Sequence, residues 1–143
     1  MEYFEELAVG DGDSFGEYEV TRGEMMEFAG QYDPQPIHTD PDAAATSMFG
    51  ELVASGWHTA AMTMRLLVDG WLDDSRALGA LGVDALRWPE PVRPGDRLSV
   101  ATEIRETEPF DAERGRVAVE VTTTTQRGDT VLSMTAQVLW ERR

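Results

Sequence analysis

The chain has no cysteine and no lysine. Without a thiol there is no disulfide framework, no cysteine nucleophile and no cysteine-ligated zinc site. The N-terminal stretch Met1-Glu2-Tyr3-Phe4-Glu5-Glu6 carries acids where a secretory signal needs bases, and no apolar run approaches the ~18 residues of a membrane span. No membrane partner is expected, and a cytoplasmic location is the default. Repeats, low-complexity tracts and Pro/Gly-rich linkers are also missing. At 143 residues the expectation is one domain spanning 1–143 with one core.

What is abundant is negative charge. Acidic residues number 27 against 12 basic ones, all arginine, for a formal net charge of −15. Nucleic acid is therefore an unsuitable partner. Concentrated salt would screen the self-repulsion of such a chain, so the composition fits a salt-loving host as well as an ordinary acidic cytosolic protein.

Local patterns predict an α+β order. Ser14 to Val20 reads as a first strand. Thr21-Arg22-Gly23-Glu24 matches a capping box opening a helix through Met25, Met26, Phe28 and Ala29, with an end near Gly30. Asp33-Pro34-Gln35-Pro36 cannot continue it, because proline lacks the amide donor and pushes its predecessor towards extended geometry; a stiff, exposed loop is expected. Asp40-Pro41 reads as an N-cap and first-turn proline before Ala43, Ala44 and Ala45. From about Ser55 to Trp71, the residues Trp57, Ala60, Ala61, Met64, Leu67, Val68 and Trp71 form a helical apolar stripe, widened by Met62 and Leu66. That stripe predicts a long helix enclosed by a curved sheet. Leu81–Trp88, Arg97–Thr107, Gly115–Gln126 and Thr130–Trp140 supply the strands, with turns at Arg93-Pro94-Gly95-Asp96 and Arg127-Gly128-Asp129.

Both histidines, His38 and His58, fall between the proline-rich loop and the long helix. Asp33 precedes His38 by five residues, so a stiff loop could present a carboxylate and an imidazole on one side of a cleft. Such a pair suits acid/base work, while a purely structural hydrogen-bonded pair is the alternative reading of the same spacing. Ala54-Ser55-Gly56 at the start of the long helix places a small residue and unpaired amides where a ligand oxyanion could sit; a simple helix cap by Ser55 is the alternative. No paired His or carboxylate spacing marks a metal site, and no cofactor is called for.

Tyr32-Asp33-Pro34-Gln35-Pro36-Ile37-His38-Thr39-Asp40, then Ala43-Ala44, then Ala54-Ser55-Gly56-Trp57-His58-Thr59, resembles the signature of the MaoC-like dehydratases, which include the (R)-specific enoyl-CoA hydratases. The likeness continues through Gly82-Val83-Asp84, Leu86-Arg87-Trp88 and Pro91-Val92-Arg93-Pro94-Gly95-Asp96. It implies a hot-dog fold, an antiparallel sheet wrapped around a long helix, in a homodimer or higher homo-oligomer acting on an acyl-CoA thioester. It also implies Asp33 and His38 as the catalytic pair and Gly56 as the residue whose amide faces the thioester carbonyl; Ser55, beside it at the helix start, is a candidate substrate-binding residue. Arg87 and Arg93 are candidates for the phosphates of CoA, since guanidinium pairs well with phosphate.

Two positions depart from the family pattern. Gln35 stands where asparagine is usual, and Met64 stands where some hydratases carry serine. A hot-dog thioesterase and a non-catalytic acyl-thioester-binding subunit are the competing functions; retention of Asp33 and His38 favours the hydratase. His58 falls outside the carried-over set and reads as a packing or interface residue.

Overall fold

A computed structural model describes residues 1–143. After a single 3-10 turn at Phe4–Glu6 come β1 (Gly12–Glu19), α1 (Arg22–Tyr32), α2 (Pro36–Thr39), α3 (Pro41–Ala45) and α4 (Gly56–Gly70). A second 3-10 turn leads to β2 (Ala77–Arg87), β3 (Arg97–Pro109), β4 (Arg114–Thr124) and β5 (Thr130–Glu141). The five strands form one antiparallel sheet in the order β1-β3-β4-β5-β2. It curves around α4, giving the hot-dog arrangement. None of the helices is long and apolar enough to cross a membrane.

Alternation builds the sheet's inner face. Leu98, Val100 and Ile104 of β3, Val117, Val119 and Val121 of β4, and Leu132, Met134, Ala136, Val138 and Trp140 of β5 are buried on the side that meets α4. Each fully buried side chain of this size contributes about 1.5–3 kcal/mol relative to exposure. Trp140 packs on Trp71 and donates its indole N–H to the Glu2 carbonyl at 2.8 Å, tying the N-terminal segment to the last strand.

Turn chemistry follows the sequence. Asp96 closes the turn before β3 by accepting the Arg93 N–H at 2.9 Å, with Gly95 at φ +89°. Gly128 takes φ +86° at the β4–β5 hairpin tip. Asp40 caps α3 by accepting from the amides of Asp42 and Ala43.

Three expectations require correction. The first concerns α4: its sheet-facing side is His58, Thr59, Met62, Thr63, Leu66 and Leu67, whereas Trp57 and Met64 of the expected stripe are 58% and 47% exposed. The helix is apolar on nearly every side, so periodicity alone does not select the inner face; the hydroxyl pair Thr63–Thr123, 2.7 Å apart and buried, satisfies the polarity that the inner face carries. Second, β2 begins at Ala77 instead of Leu81, because irregular pairing with positive-φ Gly79 and Gly82 interrupts the alternation that marks a strand. Third, α1 runs past Gly30 to Tyr32; Asp33–Gln35 is the expected non-helical loop with Pro34, Gln35 and Pro36 exposed, and only after it does Pro36–Thr39 form one turn that carries His38 inward.

Candidate active site

Pro34 stops α1, leaving Asp33 as its C-cap with its N–H on the Ala29 carbonyl at 2.8 Å. Gln35 then caps α2, whose first residue is Pro36, and the single turn swings His38 back over the end of α1. His38 Nε2 lies 3.3 Å from Asp33 Oδ2. The loop therefore brings together the carboxylate and imidazole that the sequence pairs.

His38 Nδ1 lies 2.8 Å from the Val53 carbonyl oxygen, which can only accept, so Nδ1 carries the proton. In the neutral imidazole, Nε2 is then an open lone pair directed at Asp33. Asp33 is clamped on both oxygens: Gln35 Nε2 donates to Oδ1 at 2.7 Å, and Ser55 Oγ donates to Oδ2 at 2.7 Å. The Gln35 hydrogen bond first, and then that of Ser55, hold this carboxyl below its ordinary range against the opposing effect of partial burial. Asp33 is thus a carboxylate at neutral pH. Two proton acceptors converge on one point, an arrangement suited to gripping a water and withdrawing one of its protons.

Gly56 is the first residue of α4, so its N–H has no preceding helical carbonyl to meet and lies at the positive end of the helix. A Cβ on Gly56 would come within 2.5 Å of the Trp88 indole, so the glycine is required by the approach of that ring. Trp88 in turn meets Trp57 edge-on, ring centroids 5.1 Å apart. A cavity of about 430 Å³ opens here, with Ile37, His38, Phe49, Gly56, Thr59 and Trp88 among its walls. The volume lies within the ~300–1,000 Å³ of small-ligand sites, and the walls are mostly apolar with a few polar groups.

The remaining candidates fall at different distances from this centre. Ser55 is fully buried and spends its hydroxyl on Asp33 while accepting from the Trp57 N–H, so it supports the carboxylate and does not line the cavity. Arg93 pairs with Glu51 at 3.1 Å and reaches the Phe49 carbonyl at 3.4 Å. Arg87 is exposed beside Trp88, its guanidinium touching only the Leu86 carbonyl. Met64 points away from the cavity; the hydroxyls facing inward on α4 belong to Thr59 and Thr63. His58 is buried at 3% exposure and outside the cavity wall. Nowhere do three or more His, Asp or Glu side chains gather as a metal would need. The sequence reading missed the specific roles of Gln35 and Trp88. An amide between two prolines, two residues from Asp33, was the available signal for the first; Trp88 carried none.

The MaoC-like domain family matches residues 9–126 of the chain. The chain belongs to the MaoC-like domain family. This MaoC-like protein superposes on a MaoC-like dehydratase from Rhodospirillum rubrum with TM-score 0.93 and 43% identity, covering 100% of this chain and 99% of that one. It also superposes on an R-hydratase from Pseudomonas aeruginosa with TM-score 0.75 and 27% identity, covering 99% and 86%. Among sequences, it is 31% identical over 126 residues to a 3-hydroxyacyl-thioester dehydratase of Mycobacterium tuberculosis, covering 85% of this chain and 82% of that one. An uncharacterized protein of Bacillus subtilis matches over 138 residues at 26% identity. Membership in a family of hydratases and dehydratases follows from these matches.

Proposed function

We propose that the protein adds water reversibly to a 2-enoyl thioester, giving a 3-hydroxyacyl thioester. The observation that carries this reading is the Asp33–His38 pair, with Asp33 held ionised by Gln35 and Ser55 and His38 Nε2 left open beside it. One water held by the pair loses a proton to it as the water oxygen bonds to C3. The electron pair of the double bond moves towards the thioester oxygen, and a proton delivered to C2 completes the addition. Charge developing on that oxygen is met by the Gly56 N–H and the positive end of α4. Elimination runs the same steps backwards.

CoA is the proposed carrier. Ten of the twelve arginines lie within 4 Å of a carboxylate, and Arg87, next to Trp88 on the cavity wall, is one of the two that do not. Its free guanidinium suits a phosphate, with Arg93 a second candidate once Glu51 yields. A net charge of −15 disfavours an acidic carrier protein.

A homodimer is the proposed assembly, with 1–143 as its single-domain unit. Exposed Trp57, Ala61 and Met64 on α4 and exposed Leu78, Leu81 and Val83 on the edge strand β2 form apolar surface that a second copy would cover. The Trp57–Trp88 contact joins the two patches. The test of function is the loss of enoyl absorbance when crotonyl-CoA and longer 2-enoyl-CoAs are added. Turnover with a defined chain-length optimum supports the reading; tight thioester binding without turnover of any enoyl-CoA replaces it with a non-catalytic binder, and release of free CoA with a thioesterase.

A further inference from the structure

Away from the cavity, three titratable side chains from three elements meet at one atom. Glu24 Oε1 accepts a hydrogen bond from the Tyr18 hydroxyl of β1 and another from His58 Nε2 of α4, at 3.2 Å. Glu24 stands at the third position of α1, where the capping-box pattern would turn its carboxylate back onto Thr21. The Thr21 hydroxyl does take the Glu24 N–H at 3.2 Å, but the carboxylate is directed to Tyr18 and His58 instead. One turn further along α1, Phe28 stacks face to face on His58, ring centroids 4.6 Å apart and planes 9° from parallel.

This arrangement is costly to keep. His58 Nδ1 is buried without any hydrogen-bond partner, and an apolar residue of similar size would leave no such group unsatisfied. Burial holds the imidazole below its usual titration range, so it is neutral and donates from Nε2 to the carboxylate. The Tyr18 hydroxyl is pushed up to about 12, by burial first and Glu24 second, and stays protonated as the other donor. A cavity of about 290 Å³ borders the cluster, with Glu27, Gln31 and Arg65 facing it, and Arg65 is engaged by Asp69 at 2.8 Å.

The placement explains what the cost secures. α1 buries only Met25 and Ala29, a thin apolar anchor for an eleven-residue helix. Its far end carries Asp33, which Ser55 at the cap of α4 holds by one hydrogen bond. From Glu24 to Asp33 the axial rise is about 14 Å at 1.5 Å per residue, so a small tilt at the first turn displaces the carboxylate at the last. We infer that Glu24 is a positioning residue for Asp33, clamping the start of α1 between Tyr18 and His58 so that its C-cap carboxylate meets His38 and Ser55. The inference rests on the proposed hydratase reading for its kinetic consequence only.

The test compares Glu24→Ala, Glu24→Gln and Tyr18→Phe in the full chain. Steady-state kinetics on crotonyl-CoA are run together with ring-nitrogen NMR, which is simple because the chain has two histidines. In Glu24→Ala, kcat is expected to fall about tenfold or more at nearly constant KM, since a displacement near 1 Å at a reacting group costs up to ~100-fold. Glu24→Gln, whose amide oxygen still accepts from both donors, is expected to restore most of it. The His38 ring-nitrogen signals are expected to move in Glu24→Ala although the polar partners of those nitrogens are Val53 and Asp33, not Glu24. A folded Glu24→Ala with kcat within twofold of the parent and unmoved His38 signals overturns the inference. If Glu24→Ala does not fold, Tyr18→Phe decides by the same readouts at smaller amplitude. If the parent hydrates no enoyl-CoA, the hydratase reading fails, while the NMR arm still decides whether Glu24 positions Asp33.

Discussion

Ser55 Oγ lies 2.7 Å from Asp33 Oδ2 while accepting the Trp57 N–H at 3.3 Å, so one hydroxyl caps α4 and holds the C-cap carboxylate of α1. Ser55→Ala removes both bonds. It is expected to cost about 1–2 kcal/mol in urea unfolding, the usual loss of an N-cap serine. Asp33 then loses one of the hydrogen bonds that keep its carboxyl below its ordinary range, so its titration moves upward. Carboxylate NMR through the acid range reads that shift; an unmoved Asp33 would show that Ser55 serves the helix alone.

Gly56 is expected to resist substitution because of Trp88, not because of its backbone. The Gly56→Ala methyl would press within 2.5 Å of the indole, and overpacking of this kind costs about 1–3 kcal/mol. The double variant Gly56→Ala/Trp88→Ala relieves the clash, so its destabilisation should fall below the sum of the two single ones. Strict additivity in denaturant unfolding would place the cost elsewhere.

Stability should decline on mild acidification because of His58. Burial lowers its folded titration point below the ordinary 6.5, so between the two values the unfolded chain binds the extra proton. Unfolding is then favoured as pH falls from about 6.5 towards the folded value, and no further once both states are protonated. Asp33 adds a loss of the same sign at lower pH, below its ordinary 3.8, because its folded value is also depressed. Urea midpoints at about pH 7.5 and 5.5 measure the first effect, and His58→Leu should flatten it. A slope unchanged in His58→Leu would assign the acid sensitivity to another group.

Charge repulsion predicts a response to salt. With 27 acidic residues and ten arginines already paired, many carboxylates have no cation nearby. Raising KCl from low to about 1 M shortens the screening length to ~3 Å and should raise the thermal midpoint. A flat response would mean that the folded chain tolerates its charge without salt.

Most of the strands, turns and caps were legible in the sequence because they rest on local chemistry. Val117, Val119 and Val121 alternate, Asp40 precedes Pro41, and Gly95 and Gly128 sit where the chain needs positive φ. The same locality made the Asp33–His38 juxtaposition readable, since five residues and two prolines leave the loop little freedom. What escaped depends on partners far along the chain. The inner face of α4 is settled by Thr63 meeting Thr123 sixty residues away. Ser55 reaches Asp33 across 22 residues, and the Val53 carbonyl fixes the His38 tautomer across 15. Glu24 was readable as a capping residue, yet its carboxylate serves Tyr18 and His58, which only the packed structure brings to it.

The most direct test of the proposed chemistry is the kcat of Asp33→Asn and His38→Ala on crotonyl-CoA beside the parent, with circular dichroism to verify folding. The account predicts a loss of roughly 10²–10⁴-fold for each, the size of a missing general acid/base contribution. The double variant should be little worse than either, as expected of groups acting as a unit. A folded Asp33→Asn or His38→Ala that keeps more than about a tenth of the parent kcat would contradict the assignment of this pair, because even the low end of a general-base contribution is ~100-fold.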